Sequence, residues 1–252
     1  MAEQKPYRRS RRRRRSSLLG RLLTFLGVVI VLFFGIAVFF QISEIRVEGE
    51  TRYSSEEIQE ASGVRRGDHM FSINATTIFR NIQGQLPYVE EVSVQRIFPS
   101  RLEITVRDGI PLAFIRTGQG NLLLERRCRV LEICTGPPMS GLIEIEGLDP
   151  ILPREGEVIA LGEAGSGKVA YLQNLFALLE EMGMLHDVET IELANANDLR
   201  LHYAGRFIVL LGQNRDLDYK LAMLLGTVER LGAYEMGVID LAQGGPAHFR
   251  PS

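Results

Sequence analysis

Along this chain apolar residues first gather into one long run, and later alternate with polar ones or recur at helical spacing. Residues 22–40, LLTFLGVVIVLFFGIAVFF, hold no charge and no proline, and Thr24 is the only polar side chain among them. As a helix the run would measure ~28 Å at ~1.5 Å per residue, close to the ~30 Å hydrocarbon core of a bilayer. A helix packed in a water-soluble core would show a polar face, and this one shows none. The pattern therefore predicts a single transmembrane helix over residues 22–41. A cleaved signal peptide shares the basic start and apolar core. This apolar run is longer than such cores, however, and cleavage near Gly35 and Ala37 would leave Val38-Phe39-Phe40 at an unusually greasy mature end.

After the run the period changes. Ile45 and Val47 alternate with polar neighbours as a short strand in residues 42–49. Ser54 with Glu57 three residues on forms a capping-box pattern for a helix that should stop at Gly63. A second helix fits residues 75–86, with Ile78, Ile82 and Leu86 on one face and Pro87 closing it. Asn74-Ala75-Thr76 has the form of a glycosylation triplet and reads as that helix's start. Val92 and Val94, then Leu102, Ile104 and Val106, alternate as two strands joined by a turn at Phe98-Pro99-Ser100. Each helix has one apolar face, so both should lie on a three-stranded sheet. Further on, residues 112–115, 121–124 and 130–133 read as short strands. Residues 165–182 read as a helix with Leu172, Leu175, Phe176, Leu179 and Met182 on one side. Strands at 199–203 and 207–211, a helix over 217–231 and a last strand at 238–242 complete the pattern.

Charge orients the span. The formal net charge is −2, yet Lys5, Arg8, Arg9, Arg11 to Arg15 and Arg21 crowd the first 21 residues against Glu3 alone. The remainder is acidic, which excludes a uniformly basic nucleic-acid binder. The positive-inside bias places the N-terminus in the cytoplasm and the residues after the span outside. The arginine run itself reads as a topology signal in contact with anionic lipid rather than as a nucleic-acid tail, because only Tyr7 interrupts it with an aromatic ring.

One motif invites a chemical reading. Gly162 to Lys168 (GEAGSGK) matches G-x-x-x-x-G-K ahead of a helix, where backbone N–H groups could cradle phosphates. Val169 stands where Ser or Thr would hold Mg²⁺, and the topology puts the loop outside the cell. His69, His186, His202 and His248 are scattered without metal-ligand spacing, and no G-x-S-x-G elbow occurs. The reading therefore assigns no catalytic residue, cofactor or metal. Cys128 and Cys134 would lie ~20 Å apart if the chain between them is extended, too far to bridge unless it folds back.

The segments ISEIRVEG, directly after the apolar run, and VEEVSVQRIFPSRLEITVRDGIPLAFI are similar to a POTRA domain. The Phe-Pro-Ser-x-Leu-x-Ile-x-Val run ending in Pro111-Leu112-Ala113 resembles the FtsQ/DivIB cell-division proteins. So do Leu210-Leu211-Gly212, Lys220-Leu221 and Ile239-Asp240-Leu241. The resemblance implies an α+β chain: a basic cytoplasmic tail (1–21), the transmembrane helix (22–41), a POTRA domain (42–111) and a distal mixed-sheet domain (112–252). It implies a non-enzymatic, single-pass scaffold of the bacterial division complex at the cell membrane and division septum. The implied partners are FtsB/DivIC-like and FtsL-like proteins and, through them, the septal peptidoglycan synthase, with the lipid bilayer and without nucleic acid. Partner binding is expected by strand addition to an exposed final strand, Val238, Ile239, Asp240, Leu241 and Ala242, so that Leu241→Lys should abolish binding and spare the fold. Two readings compete: a membrane-anchored nucleotide hydrolase using Lys168, and a POTRA-containing envelope assembly factor. The absence of a repeat or a long array of alternating strands weighs against the latter.

Overall fold

A computed structural model of the chain describes residues 18–165, 167–243 and 245–252, with side chains throughout except at 18, 19, 34, 37, 38 and 164. The basic tail up to residue 17 and Ser166 of the glycine-lysine loop lie outside the described residues. Helix α1 (Leu18–Phe39) covers the apolar run. Leu22, Phe25, Val31 and Phe33 stand 65–72% exposed along it. Counted over the described residues alone, no helix is long and apolar enough to cross a membrane.

Among the described residues the strands form two sheets. The first contains β1 (Glu44–Glu50), β2 (Val89–Ile97) and β3 (Arg101–Asp108) in the order β1-β3-β2. Strand β3 runs parallel to β1 and antiparallel to β2. Helices α2 (Ser55–Ser62) and α3 (Ala75–Gln85) supply Ile58, Ala61, Ile78 and Ile82, which pack with Leu102, Ile104 and Val106 of β3 in one core. The local signals act as the sequence implies. The Ser54 hydroxyl accepts from the Glu57 N–H at 3.2 Å, the Glu57 carboxylate accepts from the Ser54 N–H at 2.8 Å, and Gly63 ends α2 in the left-handed region. Each fully buried aliphatic side chain contributes roughly 1.5–3 kcal/mol, so the period-two pattern of β3 alone goes far to fix which face the helices cover.

The second sheet is mixed. It contains β4 (Ala113–Thr117), β5 (Gly120–Leu124), β6 (Val130–Cys134), β7 (Ile143–Glu146), β8 (Val188–Asn195), β9 (Asp198–Tyr203), β10 (Phe207–Gly212), β11 (Gly237–Asp240) and β12 (His248–Pro251). Their order is β12-β11-β10-β9-β8-β7-β4-β5-β6. Two helices, α4 (Lys168–Glu181) and α5 (Leu217–Val228), connect β7 to β8 and β10 to β11. Both of those pairs are parallel, a pairing that needs a crossover rather than a hairpin. Tyr171, Leu172, Leu175, Phe176 and Leu179 of α4 and Leu217, Leu221 and Leu224 of α5 share a core with Ile191, Leu201, Val209 and Leu211.

Three strands, β7, β8 and β12, have no counterpart in the sequence reading. Each follows a turn, and β7 and β12 have only four residues apiece, too short for alternation to stand out. Helix α4 begins at Lys168 rather than at 165, because a separate 3₁₀ turn (Glu163–Gly165) and Gly167 at φ 84° precede it.

The two sheets are stitched together at β6. The Tyr88 hydroxyl donates to Glu132 at 2.6 Å, and the Arg129 guanidinium donates to the carbonyls of Pro87 at 2.7 Å and Val89 at 2.9 Å. Arg126 pairs with Glu90 at 2.9 Å. The free margin of β6 is also closed, since Val130 exchanges backbone hydrogen bonds with Gly156 and Glu157, and Ile133 N–H donates to the Glu155 carboxylate.

Candidate partner-binding edge

The last strand foreseen from sequence, residues 238–242, is an inner strand. β11 pairs in parallel with β10, Val209 facing Ile239 and Leu210 facing Asp240. On its other side it pairs antiparallel with β12, Val238 facing Arg250, Ile239 facing Phe249 and Asp240 facing His248. The expectation that β11 is an exposed edge is thereby corrected. The chain turns back after Ala242, and its last residues satisfy the peptide groups that would otherwise be open.

The five residues divide by alternation. Ile239 is fully buried and Leu241 is 4% exposed, both in the core of the second sheet. Val238, Asp240 and Ala242 are half-buried. The Leu241 N–H donates to Leu210 O at 2.9 Å, the Ala242 N–H to Asp240 Oδ1 at 3.1 Å, and Asp240 lies 3.5 Å from the Arg250 guanidinium. The expectation that Leu241→Lys spares the fold is therefore corrected too, because a lysine there would carry its charge into the core. Asp240, Leu241, Gln243, Pro246, His248 and Arg250 line an open depression of ≈ 290 Å³ beside this turn.

The edge of the sheet is β12. The Ser252 N–H donates to Met236 O at 3.0 Å, so the register directs the peptide groups of residues 248, 250 and 252 towards β11 and those of Phe249 outwards. Because β12 ends the sheet, the Phe249 N–H and C=O have no strand partner among the described residues. Pro251 offers a carbonyl but no donor, which limits how far a partner strand could extend. The Phe249 ring turns inwards onto Phe207, with ring centroids 6.2 Å apart, and anchors the strand. Gly237 lets β12 approach: at φ 155°, a side-chain carbon there would collide with the Arg250 carbonyl. The sequence did hold a faint signal for β12, an apolar Phe249 flanked by polar His248 and Arg250 shortly after Pro246.

Other candidate chemistry is accounted for by packing. Lys168 is buried, and its Nζ donates to Gly147 O at 3.1 Å and Ala194 O at 2.7 Å. That ammonium ties α4 to the ends of β7 and β8 and does not point to an empty phosphate cradle. Lys220 behaves likewise, donating to Leu211 O at 2.7 Å and Gln213 O at 3.1 Å, and burial holds it below the usual lysine range against the opposing effect of Asp216. Cys128 and Cys134 are free thiols, and burial, followed by Glu125, pushes Cys128 up to about 12. Among the described residues no three His, Cys, Asp or Glu side chains gather as a metal ion would require.

Comparison with known proteins bears on the same architecture. Residues 40–108 match the family model described as POTRA domain, FtsQ-type. The chain is 32% identical to the cell division protein FtsQ of Corynebacterium glutamicum over 129 residues, 49% of this chain and 57% of that protein. It is 24% identical to the cell division protein DivIB of Clostridium tetani over 216 residues, 84% of this chain and 80% of that protein. The aligned stretch thus spans little more than half of the first relative and four fifths of the second.

Proposed function

We infer the role of this chain from its membership of the FtsQ/DivIB family of bacterial cell-division proteins: it is a membrane-anchored, non-enzymatic scaffold of the division complex. Helix α1 is its single span, with the arginine-rich tail in the cytoplasm, and residues 42–111 and 112–252 form its POTRA and distal domains outside. Support for the span comes from the 19 uncharged residues at 22–40 and from the outward-facing apolar side chains of α1. Water would solvate that surface poorly, whereas lipid would cover it.

The proposed partners are the FtsB/DivIC-like and FtsL-like proteins, and through them the septal peptidoglycan synthase. The observation that carries the binding mode is the outer edge of β12, which no strand pairs among the described residues. A partner segment adding there would gain main-chain hydrogen bonds at Phe249 and side-chain contacts at His248 and Arg250. Val238, Asp240 and Ala242 would then contribute from the strand beneath, and Ile239 and Leu241 would hold that strand in place. The nucleotide-hydrolase reading is not favoured, because Lys168 already serves two carbonyls.

A photo-crosslinking residue placed at His248 or Arg250 of the full-length chain in dividing cells tests this. The expected result is an adduct with a small bitopic division protein, absent when the crosslinker replaces exposed Glu56 of α2. Equal adducts at Glu56, or none at either β12 position in a chain that still supports division, would remove the edge from the proposal.

A further inference from the structure

The end of α1 does not lead into a free linker. Phe40 continues the helix, its N–H donating to Ile36 O at 3.1 Å, while its carbonyl accepts from Met70 N–H at 2.9 Å. Ile42 then exchanges backbone hydrogen bonds with Gly67 and Asp68, and Gln41 bridges to His69. The first domain is therefore fastened to the last turn of the apolar helix within two residues.

At that junction four phenylalanines meet. The Phe40 ring lies 5.3 Å from Phe39, 5.2 Å from Phe71 and 5.8 Å from Phe98, and Phe71 lies 5.8 Å from Phe98. They arrive from separate elements: α1, the 3₁₀ turn Met70–Ser72 and the β2–β3 hairpin. Despite touching one another, Phe39, Phe71 and Phe98 remain 61, 59 and 55% exposed, and Ile97 beside them is exposed too. Isolated exposed apolar residues are ordinary, but a contiguous aromatic cluster marks a surface that something covers. Arg65 and Arg66 are exposed immediately before Gly67, and among the described residues neither side chain has an acidic partner.

We propose that this cluster is a lipid seat: Phe39, Phe40, Phe71 and Phe98 enter the outer leaflet at the level of the headgroups, and Arg65 and Arg66 reach anionic phosphates beside them. The inference rests on the reading of α1 as the membrane span. Continuity with that helix selects lipid as the occupant, because the patch begins in the last turn of α1 and bilayer surface would surround it there. Phenylalanines buried at the boundary of headgroups and acyl chains, with arginines on the polar side, match the physics of interfacial anchoring. The seat would fix the tilt of the first domain on the membrane and so the direction in which the distal edge is presented.

The chain has no tryptophan, so single tryptophans report cleanly. Full-length Val31→Trp, Phe71→Trp, Phe98→Trp and Tyr234→Trp variants are placed in nanodiscs containing anionic lipid brominated either near the headgroup or deep in the chain. Val31→Trp should be quenched by deep bromine, and Phe71→Trp and Phe98→Trp should lose most of their emission to shallow bromine. Tyr234→Trp, on the distal domain, should lose none. Quenching of Val31→Trp without quenching at 71 and 98 overturns the seat while the span stands. No quenching at 31 overturns both. Replacing Arg65 and Arg66 by glutamate should reduce the shallow quenching of Phe98→Trp, and unchanged quenching would take the arginines out of the seat.

Discussion

A single side chain often decides between a chemical and a structural reading, and Lys168 is the sharpest case. By spacing it ends a phosphate-loop motif, whereas in the fold its ammonium satisfies two carbonyls between strands. Lys168→Met keeps the bulk and removes the donor, so it should cost about 1–3 kcal/mol, the penalty of leaving such acceptors unmet. Denaturation of the full-length protein in detergent checks this, and nucleotide should not shift the midpoint of either form. Residues 238 and 241 separate by burial in the same way. Leu241→Lys should destabilise by about 3 kcal/mol or more, because it empties a core site and buries a charge. Val238→Lys, on the half-buried face, should stay folded. A comparison of melting temperatures distinguishes folding loss from binding loss before any partner assay is interpreted.

At the scale of elements, capping and pairing carry the weight. The reciprocal hydrogen bonds between Ser54 and Glu57 begin α2, and Ser54→Ala should cost about 0.5–2 kcal/mol by urea denaturation. The same contacts hold the Glu57 carboxyl below its usual value, through the Ser54 N–H first and the Ser54 hydroxyl second. That contribution is present above the unfolded-state value and is lost as pH falls through the lowered one. At the other end of the chain, β12 is a four-residue strand held by β11 and by the Phe249 ring on Phe207. Phe249→Ala should loosen β12 without unfolding the sheet beneath. Hydrogen exchange would then show faster amides at 248 and 250 and slower-exchanging, unchanged amides in β9 and β10.

On the scale of the whole molecule, the junction between the two sheets sets how rigidly the β12 edge follows the first sheet. Burial first, and then Glu132, push the Tyr88 hydroxyl up to about 12. A raised phenol value favours the neutral, donating form in the folded state. Its stabilisation is therefore full below the unfolded value of 10.0 and is lost as pH rises through about 12. Tyr88→Phe should make the stability loss across that window shallower, by at most about 1.4 kcal/mol per pH unit, in denaturation series at increasing pH. Arg129 is the other clasp. Its guanidinium, lowered from its usual value chiefly by burial, donates to the carbonyls of Pro87 and Val89 at the start of β2, so Arg129→Met should split a single unfolding transition into two in calorimetry.

How much of this was legible follows a physical division. Composition and periodicity carry information about local burial, and they sufficed for the apolar run, the capping box at Ser54, the alternation of Leu102, Ile104 and Val106, and the apolar faces of α4 and α5. Local order of elements, together with short motifs, was enough to carry a resemblance to the FtsQ/DivIB proteins, and residues 40–108 match the FtsQ-type POTRA model. The sequence could not say which strand is the outermost, because an edge is defined by what fails to pair with it, and that depends on residues folding back from elsewhere. β12 returns over β11 only because Gly237 admits its backbone and Phe249 finds Phe207. Nor could spacing reveal that Lys168 faces carbonyls of β7 and β8, or that four phenylalanines from three elements meet at the end of α1. Those are contacts between residues distant along the chain, created when the sheets closed, and tertiary structure alone decided them.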